Sequence, residues 1–258
     1  MQDDVAQVND GADADALQSE KYVHGIWEKL CDHCGCGGVV ASKWWGIIRG
    51  RYGEWHRHYH TLEHLEDMLT GLDYFCESLN RPDVVQLAIF FHDIVYEPRS
   101  RKNEADSAVL FQQVRAVNFA GEAGLNPEDA QLVVDYILAT EKHIAGPNAE
   151  ADLKVLLDLD MAVTGKSPAV YMDYARKIRH EYIHVPLETY CAKRAEVLEI
   201  MLQAERIFAT EEFCNLLEKA ARSNMAGEIR MLKEGEVPGI LKETVAQADQ
   251  DQSKSVAI

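Results

Sequence analysis

The stretch LAIFFHDIVYEP, residues 87–98, places an ionisable pair, His92 and Asp93, inside a strongly apolar run. Its apolar side chains recur at the i, i+3, i+4 and i+7 positions of a buried helix face, which are occupied by Leu87, Phe90, Phe91 and Ile94. Moving an ionised carboxylate out of water is costly, so Asp93 needs a cation, dense hydrogen bonding or a raised pKa. The stretch therefore predicts either a pair of metal ligands or an aspartate near a helix end beside a satisfied core histidine.

Helical periodicity continues on both sides of this stretch. Pro82 suits the first turn of a helix and Pro98 is expected to end it, which puts His92 and Asp93 in its last turn or two. Further helices are predicted over 17–31, 42–52, 61–78, 104–118, 127–142, 152–165, 167–185 and 187–208, with a last helical pair over 211–235. No segment shows the sustained alternation of a strand, so the sequence predicts an all-α fold: a single helical bundle with extra C-terminal helices.

Both ends of the chain lack periodicity. Residues 1–16 are polar and acidic and are predicted to form a disordered tail, and the helical domain is expected over 17–235. Residues 236–258 are predicted to form a second disordered tail. No charged-then-apolar leader opens the sequence, so the chain is expected to begin in its mature form, with the cytoplasm as the default location.

The chain is acidic, with a formal charge of −17 over 258 residues. This charge argues against nucleic acid and anionic membranes as partners, since both bind basic surfaces. No apolar run approaches the length that crosses a bilayer. A small phosphorylated ligand would have to be held by local arginines, lysines or metal ions, and a homo-oligomer stays open.

Three of the six cysteines lie together in CDHCGCGG, residues 31–38, with His33 between the first two. A C-x2-C pair with a third cysteine and a histidine suggests a small zinc knot. A structural zinc site usually takes two spaced pairs of ligands, and no second pair follows at a suitable distance. A Cys/Gly-rich loop is the alternative that the sequence favours.

The histidines concentrate in EWHRHYHTLEH, residues 54–64. Thr61 is a plausible N-cap for the helix that follows, which places His60 at the mouth of this helix and His64 one turn inside it. Farther along, His143 comes just past the end of a helix, and Asp158 and Asp160 interrupt another apolar run. At helical spacing these two aspartates point apart, so one can face the interior while the other finds a cap or solvent.

Six motifs in fixed order give the chain a family resemblance that extends from about residue 22 to residue 229. They are RHYHTLEH at 57–64, HDIVY at 92–96, NEADSA at 103–108, TEKH at 140–143, DLD at 158–160 and YMDYARKIRHEY at 171–182. In these motifs the chain resembles a subgroup of predicted phosphohydrolases in the HD superfamily of metal-dependent enzymes. The cysteine-rich loop and both tails depart from the pattern of that subgroup, which puts the N-terminal boundary of the fold in doubt.

The resemblance implies a set of site residues. The metal ligands are His64, His92, Asp93 and Asp160, and Asp160 is preferred to Asp158 because the family's late aspartate is the second in such a pair. Glu104, in the third motif, is the candidate general acid or base beside the catalytic Asp93. The candidates for contacts with the substrate are His60, Arg101, Lys102, His143 and Arg179.

Two imidazoles and two carboxylates suit one divalent ion such as Mn, Mg, Fe, Co, Ni or Zn. The leading hypothesis is a phosphohydrolase that uses a metal-activated water to cleave a phosphomonoester or phosphoanhydride of a small metabolite, in the first instance a nucleotide. The alternatives are a non-catalytic sensor that binds a nucleotide or metal and an HD oxygenase with two irons. In the second alternative His60 or His143 would ligate a second ion.

Overall fold

The computed structural model describes residues 10–118, 125–146 and 148–238. Within these residues it contains ten α-helices, two short 3₁₀ helices at Cys76–Ser78 and Ala162–Gly165, and no strand, which confirms the predicted all-α class. The helices are α1 Asp10–His33, α2 Gly38–Tyr52, α3 Leu62–Phe75, α4 Pro82–Phe91, α5 Asn103–Asn118, α6 Pro127–Ala139, α7 Ala151–Met161, α8 Pro168–Glu181, α9 Leu187–Gln203 and α10 Glu211–Lys233. None of these helices is both long and apolar enough to cross a membrane.

The chain divides into two compact units, Met1–Asp160 and Met161–Ile258. The first unit holds α1 to α6 and nearly all of α7, and the second holds α8 to α10. The prediction of one domain over 17–235 stays a prediction.

Helix α4 is the centre of the first unit. Residues 87–91 are at most 1% exposed, and α4 packs against α3, α5 and α6. The helix is apolar on all sides rather than along one stripe, as expected for a helix enclosed by others. It starts with Pro82 in its first turn, as predicted, but it ends at Phe91, with His92 as its C-cap. His92 and Asp93 therefore directly follow the central helix instead of lying within it.

The two ends of the described chain differ from the predicted tails. Helix α1 begins at Asp10 rather than near Leu17, because alternating alanines favour a helix and acidic residues are favourable near its N-terminus. At the other end Val237 is 5% exposed and belongs to the core of the second unit, so this part of the predicted tail is packed. The rest of the predicted tails, residues 1–9 and 239–258, lies outside the described residues.

The cysteine-rich segment forms a tight turn between α1 and α2. Helix α1 includes Cys31 and ends at His33, two residues farther than predicted, and Gly35 adopts a positive φ of 66° that favours glycine. Cys31, Cys34 and Cys36 are free thiols that are at most 5% exposed. Burial raises the pKa of the Cys34 thiol to about 11. In this turn the cysteines are buried apolar residues.

The second unit shows two differences from the predicted helices. Helix α9 ends at Gln203 rather than Phe208, and α10 is one helix of 23 residues rather than a pair. The guanidinium of Arg222, on α10, donates to the main-chain carbonyls of Leu202, Ala204 and Glu205, and these bonds hold the chain in a non-helical turn after α9.

Candidate metal centre

Three side chains from two separate segments of the first unit meet in one cluster. One ligand atom each of His64, His92 and Asp93 lies within 4.8 Å of the others. The Nε2 atoms of the two histidines are 3.3 Å apart, and His92 Nε2 is 3.1 Å from Asp93 Oδ2. His64 comes from the first turn of α3, and the other two follow the end of α4. These are three of the four ligands implied by the sequence motifs.

The fourth implied ligand, Asp160, lies beside the same cluster. Its Oδ1 is 3.3 Å from His64 Nε2 and 3.8 Å from His92 Nε2. Its Oδ2 is 2.8 Å from Nε2 of His143, which places that histidine on the outer side of the carboxylate. Asp158 is also buried, at 2% exposure, so it does not face solvent. It is Asp160 that faces the histidines.

The orientation of the His92 ring is fixed by the main chain of α4. His92 Nδ1 lies 2.8 Å from the carbonyl oxygen of Ile89, and a carbonyl can only accept, so Nδ1 carries a proton. With that proton placed, Nε2 presents its lone pair to the cluster when the ring is neutral. A hydrogen bond of this kind, from the distal nitrogen to a carbonyl, is the usual support for a metal-binding histidine.

The cluster is nearly closed to water, and its charges are strongly coupled. Burial would lower the pKa of His92, but the carboxylates of Asp93 and Asp160 outweigh it and raise that pKa to about 9. Burial would raise the pKa of Asp93, yet the imidazoles of His92 and His60 hold it below its usual range. The imidazoles of His143, His64 and His92 do the same for Asp160. The cluster therefore favours positive charge, which imidazole protons or a divalent ion can supply.

The guanidinium of Arg57 joins the two ligand-bearing segments. Its side chain is completely buried. Nη1 donates to the main-chain carbonyls of Asp93, at 2.7 Å, and of His60, at 3.2 Å, and Nη2 donates to that of Ile94 at 3.2 Å. Its Nε donates to the carboxylate of Glu54 at 3.1 Å. The main-chain carbonyls of Asp93 and Ile94 are satisfied by Arg57 rather than by a helix, which accounts for the end of α4 before His92 and Asp93.

Two tyrosine rings enclose the Arg57 guanidinium. Its central carbon lies 5.0 Å from the ring centroid of Tyr52 and 5.3 Å from that of Tyr96, within the range of a cation–π contact. The ring of Tyr96 also stacks on that of His60, with centroids 4.2 Å apart. His60 in turn places its Nε2 3.8 Å from Asp93 Oδ2. This role of Arg57 was not predicted from the sequence, in which Arg57 is only the first residue of a motif.

Thr61 occupies the predicted position but does not cap α3 through its side chain. Its main-chain carbonyl accepts the amide of His64 at 3.2 Å. Among the described residues its buried hydroxyl has no hydrogen-bond partner. The start of α3, and with it the position of His64, therefore depends on main-chain contacts.

The third motif, NEADSA at 103–108, supports the segment after His92 and Asp93. The side chain of Asn103 accepts the amide of Glu97 at 3.0 Å and donates to its carbonyl at 3.2 Å. The hydroxyl of Ser107 accepts the amide of Val95 at 3.1 Å and donates to its carbonyl at 3.3 Å. These bonds fix the chain over 95–97, directly after the ligands. The sequence pointed to Glu104 in this motif, and it did not reveal the roles of Asn103 and Ser107.

The other predicted catalytic and substrate contacts have different surroundings. Glu104 is half-buried in the first turn of α5, and it has no hydrogen bond or ion pair among the described residues. Arg101 and Lys102 are exposed on the loop before α5. Arg179 lies in the second unit, where its Nη1 donates to the carbonyls of Tyr182 and Val185. Their roles stay predictions.

We expect the purified chain to bind about one divalent metal ion. His64, His92 and Asp93 form one group that could hold an ion, with Asp160 beside it, and His60 and His143 each lie close to one of the two carboxylates. Elemental analysis of protein saturated with Mn²⁺ and then freed of excess metal measures the ratio of metal to chain. A ratio of two would instead make His60 or His143 a ligand to a second ion, and a ratio near zero would contradict the site.

No protein-family model matches the chain, and the search of curated proteins gave no match either.

Proposed function

We propose that the chain is a metal-dependent phosphohydrolase of the HD superfamily and that it acts on a small phosphorylated metabolite, with a nucleotide as the first candidate. The observation that carries this proposal is the cluster of His64, His92 and Asp93 with Asp160 beside it. These four residues come from the same motifs, in the same order along the chain, as those on which the family resemblance rests. The support thus comes from motif order and from geometry together.

The donor set fits a divalent ion. Two imidazole nitrogens and two carboxylates match the ligand preferences of Mn, Fe, Co, Ni and Zn. The two carboxylates are also suitable ligands for Mg. The hydrogen bond from His92 Nδ1 to the carbonyl oxygen of Ile89 orients the ring, as is usual for an imidazole that ligates a metal through its other nitrogen. When bound, such an ion would lower the pKa of a water molecule and polarise a phosphoryl group, so the chain itself would need no nucleophilic side chain.

The residues of the chain would then divide the remaining tasks. Asp93 and Asp160 would hold the ion in a nearly dry cluster, where electrostatic interactions are stronger than in water. His143, whose side chain is about one third exposed, lies 2.8 Å from Asp160 Oδ2 through its Nε2, so it would be the group that contacts a phosphate or its leaving group. Arg101 and Lys102 are exposed cations in an acidic chain and would attract the anionic substrate.

The Glu104→Gln variant should keep its metal and lose one to two orders of magnitude in turnover, the usual range for an acid or base group. The amide has the shape of the carboxylate but cannot exchange a proton, so binding and catalysis should separate. Turnover of a phosphoester by metal-loaded protein is the measurement. Asp106→Asn, an exposed acid in the same turn of α5, is the matched control. Equal turnover in both variants would remove Glu104 from the mechanism.

A screen of metals against substrates tests the proposed function itself. Purified protein is incubated with Mn²⁺, Mg²⁺, Co²⁺ or Ni²⁺ and a panel of nucleotides and simple phosphoesters, and released phosphate is measured. We expect metal-dependent release from part of the panel. Binding of nucleotides without release under any metal would instead support a non-catalytic sensor.

A di-iron oxygenase is the second candidate, and one observation favours it. His60 and His143 lie close to the two carboxylates, on Asp93 and Asp160, so the first unit holds extra imidazoles for a second ion. Oxygen consumption by protein loaded with Fe²⁺, at two irons per chain, would support this candidate over the phosphohydrolase.

A further inference from the structure

Trp55 is the exposed tryptophan of the chain. Its side chain lies in the turn after α2, and the residue is 89% exposed, whereas Trp27, Trp44 and Trp45 are at most 9% exposed. A single exposed apolar side chain is common in soluble proteins and does not by itself mark a site. The rings beside Trp55 set it apart.

A series of four rings connects Trp55 to the metal centre. The Trp55 indole packs edge-on against His56, with ring centroids 5.7 Å apart. The His56 ring is nearly parallel to that of Tyr96 at 6.4 Å, and Tyr96 stacks on His60 at 4.2 Å. His60 Nε2 is 3.8 Å from the carboxylate of Asp93. The exposed indole is thus the outer end of a series of aromatic rings whose inner end, His60, lies beside the proposed metal ligand Asp93.

Hydrogen bonds fix these rings in place. His56 Nε2 donates to the main-chain carbonyl of Tyr96 at 2.8 Å. Arg57, the residue between His56 and the rest of the motif, is held by four acceptors and by the rings of Tyr52 and Tyr96. The backbone that carries Trp55 is therefore ordered before any ligand binds. A preordered aromatic surface costs little entropy on binding a ligand.

Exposed positive charge follows Tyr96, an inner member of the ring series, along the chain. The chain leaves Tyr96 into a loop that presents Arg99, Arg101 and Lys102 to solvent. In the described part of the chain none of these three side chains forms an ion pair. The exposed indole, these exposed cations and the metal centre all belong to the first unit. This combination matches a planar ring joined to a phosphate.

We propose that Trp55 is a stacking surface for the planar ring of the substrate, and that the site selects phosphates that carry a nucleobase over phosphates that carry none. This inference rests on the proposed phosphohydrolase function, and it names the part of the substrate that Trp55 recognises. Stacking of a base on an aromatic side chain tolerates any base, because every base has a π face. Trp55 therefore selects for a ring and leaves the identity of the base to other contacts.

The test compares a nucleotide with a phosphate that has no ring. Isothermal titration calorimetry of the full chain loaded with Mn²⁺ gives the Kd for adenosine 5′-monophosphate and for inorganic phosphate. We expect Trp55→Ala to weaken nucleotide binding roughly tenfold, the loss expected from one stacked base, and to leave phosphate binding unchanged. Trp55→Phe keeps a π face and should retain most of the nucleotide affinity.

Two controls make the comparison specific. Tyr74→Ala removes another strongly exposed ring, on α3 and 79% exposed, and should change neither Kd. Because the other three tryptophans are buried, the nucleotide should quench the fluorescence of the wild-type chain and should not quench that of Trp55→Phe. Trp55 is exposed, so its variants should fold normally, and circular dichroism checks this.

Two results would overturn the inference. One is a nucleotide Kd that is the same in Trp55→Ala and wild type, or no nucleotide binding by either. The other is an equal loss for nucleotide and phosphate, which would mean that the substitution disturbs the metal centre rather than a ring contact. Hydrolysis of glycerol phosphate by the same samples separates the two proposals: if it occurs and Trp55→Ala leaves nucleotide binding intact, the phosphohydrolase stands and the stacking surface falls.

Discussion

The Asp93→Ala variant is expected to lose its divalent metal and all metal-dependent hydrolysis while it keeps the helical fold. Asp93 Oδ2 is 3.1 Å from His92 Nε2, and with the carboxylate removed the two imidazoles would have Asp160 as their remaining anionic partner. The fold should survive because Arg57 binds the main-chain carbonyl of Asp93, which alanine also provides. Metal content, phosphate release and circular dichroism measure the three parts of this result.

Asp67→Ala is the matched control for that variant. Asp67 is exposed on α3, one turn after the ligand His64, so its loss removes an acidic charge near the site without removing a ligand. It should bind metal and turn over substrate like the wild type. An Asp93→Ala protein with full metal content and full activity would refute the assignment of Asp93.

The Arg57→Lys variant is expected to bind metal ten- to hundredfold more weakly, the usual cost of losing a residue that supports metal ligands. Lysine keeps the charge, but its single ammonium cannot reach the carbonyls of His60, Asp93 and Ile94 and the Glu54 carboxylate together. The stability of the chain should fall by about 3 kcal/mol, since a buried ionic network loses a partner.

Calorimetric titration with Mn²⁺ and thermal unfolding measure these two effects. Arg49→Lys is the control, because Arg49 is 61% exposed and pairs with Glu20 on the surface. Arg57→Ala should lower the stability further than Arg57→Lys does, and it should bind Mn²⁺ no more tightly than Arg57→Lys. If Arg57→Lys binds Mn²⁺ as tightly as the wild type, the guanidinium does not position the ligands.

The helices could be predicted because their signals are local. Pro82 marks the start of α4 and Pro127 that of α6, and the apolar spacing in each helix indicates its extent. The end of α4 could not be predicted in this way. It depends on Arg57, which binds carbonyls 36 and 37 residues away along the chain. The same holds for the end of α9, where Arg222 binds carbonyls 17 to 20 residues earlier.

Some residues of the candidate site could be predicted from the sequence and others could not. His92 and Asp93 could be singled out because an ionisable pair in an apolar run needs an explanation, and the motifs added His64 and Asp160. Of Asp158 and Asp160, it is Asp160 that faces the histidines, and its role as a ligand stays a prediction. The supporting roles of Arg57, Asn103 and Ser107 were not visible, because a sequence does not show which main-chain groups a polar side chain will meet.

Anomalous diffraction from crystals soaked in Mn²⁺, recorded near the manganese absorption edge, tests directly whether the cluster of His64, His92, Asp93 and Asp160 binds a metal ion. We expect one strong anomalous peak per chain within coordination distance of His64 Nε2, His92 Nε2 and the carboxylates of Asp93 and Asp160. Ordered crystals with no peak at this cluster, or with manganese bound only elsewhere on the chain, would contradict it.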